Sequence, residues 1–281
     1  MRPFLLLVTA MTLTAQTPGP NVRPLVDGTL SLETSLLRGI APAEAVRMLG
    51  GRTAATTPVN AFLVRQAGKV ILVDTGMGKD PEEDSGHLAE GLAAAGVTPA
   101  QVDLVLITHF HFDHVGGLLL PGGARAFPRA KLCVSRVEHD LWTTRDRLPE
   151  RLWERIPKVR AIFEAYGSDL VLTRDGDAVA EGVTALAAPG HTAGHTVYAF
   201  RSNGRDLWCI GDLIHFGEVQ FARPATGISF DLEGDLAVRT RLDFFRRAAA
   251  GNVVLAGAHL PHLVRIVQDG DGYRTTRVEG P

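Results

Sequence analysis

Four metal-binding side chains fall within six residues in the run His109-Phe110-His111-Phe112-Asp113-His114. Three imidazoles and a carboxylate at that density carry a desolvation penalty in apolar surroundings unless a cation draws them in. The preceding residues, 102–107, are apolar and rich in β-branched side chains, and read as a strand buried on both faces. In extended backbone, positions i and i+2 share a face, so His109 and His111 can hold one cation from the same side. Asp113 and His114 fall on the turn that follows and can face a second. The segment therefore supplies two half-sites, and the rest of the chain must complete them.

Three residues are placed to do so. His191 lies in Pro189-Gly190-His191-Thr192-Ala193-Gly194-His195, where Pro189 and Gly190 mark a turn after a strand-like run. Asp212 follows the apolar run ending Cys209-Ile210-Gly211, and His259 follows another ending Ala256-Gly257-Ala258. Each candidate thus ends a strand, which is where layered α/β domains carry their sites. Asp74 also follows an apolar strand, Val70-Ile71-Leu72-Val73, and as a lone aspartate it reads as a cap or turn residue.

These ordered motifs, from about Asn60 to His259, resemble those of the metallo-β-lactamase-fold hydrolases. The resemblance implies a four-layer αββα sandwich. It implies that His109, His111 and His191 bind a first metal, that Asp113, His114 and His259 bind a second, and that Asp212 bridges them. Asp74 would buttress the site, and His195 and His215 would support it without being ligands. Imidazole and carboxylate without thiolate suit two Zn2+, with iron, manganese or cobalt open on ligand type alone. Redox di-iron relatives carry glutamate where this chain has His111, which argues for hydrolysis. The expected nucleophile is hydroxide held between the metals, formed from a water whose pKa falls to about 7. Asp113 is in addition a candidate to orient it or relay its proton.

Shorter stretches, Gly211-Asp212-Leu213-Ile214-His215 and Ala258-His259-Leu260-Pro261, are similar to the exported branch containing methyl parathion hydrolase and related lactone or ester hydrolases. The expected activity is cleavage of lactones, esters or organophosphate triesters. Acyl-homoserine lactonases have a tyrosine near the position of His215, so that contact is not expected in its usual form. Phe216, Phe221 and Phe230 are candidates for an apolar wall suited to a small neutral or apolar substrate. The alternatives are an exported β-lactamase, against which Asp212 argues, and a non-catalytic metal-binding protein of the same fold.

Composition narrows the partners. The chain has 281 residues, 45% of them apolar, enough for one sandwich domain over residues 16–281. A formal net charge of −2 offers no broad basic surface for nucleic acid. Residues 1–15 combine a thin positive start with a short apolar run and read as a signal peptide, giving export to the periplasm or beyond. That run is too short for stable membrane insertion, which takes about 20 apolar residues. Cys133 and Cys209 sit in apolar runs and are expected as buried free thiols. Residues 135–166 read as a helix-prone segment able to cover the site, and the resembled branch implies a homodimer.

Overall fold

Alternation along the central strands sorts their side chains onto two faces. The computed structural model describes residues 20–79 and 84–279, so the expected signal peptide lies outside the described residues. In strand Lys69–Val73, Ile71 and Val73 point to one apolar cluster and Leu72 to another. Strand Leu104–Leu106 repeats the pattern, with Leu104 and Leu106 on the first face and Val105 on the second. Strand Arg205–Gly211 does the same with Leu207 and Cys209 against Trp208 and Ile210. A period of two in strands buried on both sides requires a layer above and a layer below each sheet.

Two sheets meet that requirement. The six-stranded sheet runs in the order Asn21–Glu33, Ala54–Gln66, Lys69–Val73, Leu104–Leu106, Lys131–Ser135, Leu170–Thr173. The seven-stranded sheet runs Gly272–Val278, Leu263–Asp269, Val254–Gly257, Arg205–Gly211, Thr196–Ser202, Val183–Ala187, Ala178–Ala180. Between them, Phe62, Ile71 and Leu106 of one sheet pack with Tyr198, Phe200 and Ala256 of the other. Helices Leu88–Ala94, Arg136–Thr143 and Ile156–Tyr166 cover the outer face of the first sheet, and Gly234–Ala250 covers that of the second. The architecture is the αββα sandwich expected from the sequence. Strand Asn21–Glu33 has no counterpart in the motifs.

Parallel pairing aims the strand ends at one edge. Lys69–Val73, Leu104–Leu106 and Lys131–Ser135 are mutually parallel, as are Arg205–Gly211 and Val254–Gly257. Asp74, His109, Asp212 and His259 all follow the carboxyl ends of these strands. Cys133 and Cys209 are free, buried thiols in the cluster between the sheets, and burial pushes Cys133 up to about 11. The segment above the first sheet is built of helices and 3-10 turns. Its Trp142, Trp153 and Phe163 pack into the apolar cluster there, so their spacing reports packing. Among the described residues no helix is long and apolar enough to cross a membrane.

The loop after Val73 is pressed against the segment bearing Asp113 and His114. Thr75 donates from its backbone N–H to the His114 carbonyl at 2.8 Å, and Gly116 N–H donates to the Gly76 carbonyl at 2.9 Å. A Cβ at Gly116 would fall 1.8 Å from the Met77 carbonyl oxygen, which is backbone and cannot swing away. Gly116→Ala is expected to destabilise the protein by about 1–3 kcal/mol through this overlap, measured by thermal or denaturant unfolding. An unchanged midpoint would show that the two loops are not held this closely.

Candidate metal centre

Five histidines and two aspartates converge at the shared strand edge. The Phe112–Val115 helical turn brings Asp113 and His114 round after His111, whose backbone is still extended. Two groups of ligand atoms result, His109–His111–His191–Asp212 and Asp113–His114–Asp212–His259, each with its atoms within 4.8 Å of one another. Asp212 belongs to both. Its Oδ2 lies 3.6 Å from His109 Nε2 and 3.2 Å from His191 Nε2, while its Oδ1 lies 3.1 Å from His114 Nε2 and 3.3 Å from His259 Nε2. Asp113 Oδ2 closes the second group, 3.4 Å from His114 Nε2 and 3.5 Å from His259 Nε2. His111 enters the first through Nδ1, 3.0 Å from His191 Nε2.

The outward ring nitrogens explain why the inward ones face the centre. His114 Nδ1 donates to Asp74 Oδ2 at 2.8 Å, His191 Nδ1 to Asp231 Oδ1 at 2.9 Å, and His259 Nδ1 to the Pro58 carbonyl at 3.1 Å. His109 Nδ1 lies 3.1 Å from Thr108 Oγ1, whose own proton goes to Asp74 Oδ2. Each partner is an acceptor at that contact, so Nδ1 carries a proton and Nε2 is the nitrogen left facing the centre. Asp74 holds this arrangement from a left-handed backbone, φ 58°, and also accepts from Thr108 N–H.

The donor set fits divalent transition cations. His109 Nε2, His114 Nε2 and Asp212 Oδ1 are buried without a hydrogen-bond partner, an arrangement that native interiors avoid. Donors about 2.0–2.1 Å from a tetrahedral zinc lie about 3.3 Å from each other, and the nitrogen-to-oxygen separations here bracket that distance. Charge follows the same division. Burial lowers the basicity of both His109 and His111 well below the usual imidazole range, and neighbouring histidines add to it. For His114, burial is outweighed by the carboxylates of Asp212, Asp113 and Asp74, which raise it well above that range. His191 is likewise lifted to about 9 by Asp212 and Asp231 against burial.

The supporting histidines divide. His195 Nε2 accepts from the Asp212 backbone N–H at 3.0 Å, so it fixes Asp212 through its main chain. His215 Nε2 stands 3.0 Å from Asp212 Oδ2, yet neither of its ring nitrogens has a hydrogen-bonding geometry. Its ring stacks on His259 at 5.1 Å and faces Phe230 at 5.8 Å. Of the three phenylalanines expected as a wall, Phe230 stands beside the centre. Phe216 packs with Leu37, Leu49 and Ile228 in a cluster that Phe230 also borders, and Phe221 stacks on Phe245 of the long helix.

Three contributors escape the motif reading. Asp231 orients His191, and Glu138 binds the loops on both sides of the first ligand group. In sequence each is a lone acid near a helix start, where acids are common for other reasons. Phe112, exposed beside the ligands, carries the Arg155 guanidinium 4.8 Å above its ring.

His114 and His191 hold protons in the metal-free protein at neutral pH, and a cation must displace them. Binding of Zn2+ to the apo-protein is therefore expected to release protons at pH 7 and to tighten as pH rises towards 9. Titration in weak buffer with a pH indicator checks this, and binding without proton release would contradict the assignment. Asp212→Ala is expected to lower metal content at both ligand groups together, measured by elemental analysis. Full occupancy would show that Asp212 is not shared.

The chain matches the metallo-beta-lactamase superfamily over residues 54–259. It is 27% identical over 216 residues to a probable metallo-hydrolase of Mycobacterium tuberculosis, a match covering 66% of this chain and 61% of that protein. Among solved structures, the hydrolase AbOPH of the beta-lactamase superfamily superposes with a TM-score of 0.84 at 30% identity, covering 92% of this chain and 94% of that one. AidC, a dizinc quorum-quenching lactonase solved with its product N-hexanoyl-L-homoserine, gives 0.83 at 28% identity with the same coverage. The ligand motifs, the sandwich and the extent of the match agree, and the chain belongs to the metallo-beta-lactamase superfamily.

Proposed function

We propose that this chain is a dinuclear zinc hydrolase of lactones, esters or organophosphate triesters. The observation that carries the reading is the pair of ligand groups sharing Asp212, one on each carboxylate oxygen. Two divalent cations bound there would supply Lewis acidity and ionise water near neutral pH, where its pKa falls to about 7. The chain's own residues do the rest. Asp113, whose carboxyl is held low by His114 against its burial, stays ionised and can take up a proton beside the second group. His215 and Phe230 present a polar edge and an apolar face to a bound molecule. A cavity of about 320 Å3 adjoins the His191 loop, lined by the apolar Leu141, Leu148, Pro149, Ala193 and Leu232 and by the charged Asp146, Arg147 and Glu233.

The similarity to AidC, a lactonase, supports this class over β-lactam cleavage. We place the protein as a single domain over residues 16–281, exported through residues 1–15 to the periplasm or beyond and acting on small neutral molecules instead of nucleic acid. The test is a panel on the zinc-loaded protein: γ- and δ-lactones, including an N-acyl-homoserine lactone, aryl esters, a phosphotriester and a chromogenic cephalosporin. Lactones, esters or the phosphotriester are expected to give the highest kcat/KM. A dominant cephalosporin rate would overturn the assignment.

A further inference from the structure

The buried side chain of Glu138 joins the two loops that carry the first ligand group. It lies in helix Arg136–Thr143, outside the ligand motifs, and is 1% exposed. Its Oε1 accepts from the Phe110 backbone N–H at 3.0 Å and from Trp142 Nε1 at 2.9 Å. Its Oε2 accepts from Thr192 Oγ1 at 2.7 Å and from the Gly194 N–H at 3.0 Å. Phe110 stands between His109 and His111, and Thr192 directly follows His191. One carboxylate therefore ties together the backbone around all three histidines of that group. Among the described residues no hydrogen bond of Glu138 reaches the strand ends that carry Asp212 or His259, and on the first loop its bond falls between His109 and His111, ahead of Asp113.

All four partners donate, so the anchor needs two acceptor oxygens, which glutamine cannot supply because its amide nitrogen only donates. The contact is also close: a Cβ on Gly194 would fall 2.1 Å from the Glu138 backbone nitrogen. The helix and the His191 loop are thus packed without room for a side chain between them.

We infer that Glu138 is a positioning residue for the first metal alone, setting the separation of His191 from His109 and His111. The inference rests on the two-site reading above. It differs from a general stabilising role in one respect: loss of Glu138 should weaken one cation site and spare the other. Partners that orient ligands in this way are worth on the order of 10–100-fold in metal affinity.

The test is competitive titration of the apo-protein with Zn2+ against a chromophoric chelator, with His111→Ala and His259→Ala identifying the first-site and second-site steps. Glu138→Gln is expected to weaken the first-site step about 10–100-fold and leave the second near wild type. Equal weakening of both, or of neither, would overturn the inference. Should Glu138→Gln fail to fold, Thr192→Val removes one loop donor while nearly conserving shape, and the same selective loss is expected. Both steps unchanged or equally weakened in Thr192→Val would overturn it. A wild-type chain that binds a single zinc would instead sink the two-site reading, and the selective effect with it.

Discussion

Asp212 faces imidazoles with both of its oxygens, in an interior where neither oxygen can turn to water. The contacts at 3.1–3.6 Å set lone pair against lone pair unless a proton or a cation lies between. Protons satisfy part of the cluster, as the raised His114 and His191 show, but the depressed His109 and His111 sit in the same few ångströms. No single protonation state suits every member. A pair of divalent cations does, because each draws lone pairs from several directions at once.

Such a cluster is costly to assemble, and the fold offsets the cost with fixed acceptors. Asp74, Asp231, the Pro58 carbonyl and Thr108 each hold one outward ring nitrogen. Three come from the six-stranded sheet and the ends of its strands, and Asp231 comes from the loop before the long helix. Rings clamped at one nitrogen lose little further freedom when the other binds a cation, which favours binding. Arg241 extends the scaffold: it is 1% exposed, donates to the Leu213, Pro224 and Thr226 carbonyls, and lies 4.0 Å from Asp231. The segment bearing His215 is thereby tied to the residue that orients His191.

The ligands and the aromatic side chains around them sit on different kinds of segment. Strand ends and their short loops hold the ligands, while the rim carries Phe112 under Arg155 and Phe230 beside His215. Chemistry common to a superfamily and selectivity particular to one chain thus sit on different parts of the fold, the first on strand ends and the second on connecting segments.

The ligand set, Asp74 and the buried strands were legible in the sequence because their signals are local. An H-x-H-x-D-H run, an acid or histidine at the end of an apolar stretch and a two-residue alternation all lie within a few positions of one another. The tertiary structure alone decided what Glu138, Asp231 and Arg241 do, and that Phe216 and Phe221 belong to apolar clusters instead of a substrate wall. For Glu138, Asp231 and Arg241 the deciding partners include ones 56, 40 and 15 residues away. A side chain's neighbours across the fold depend on sheet register and helix packing, and these arise only when the whole chain buries its apolar faces together.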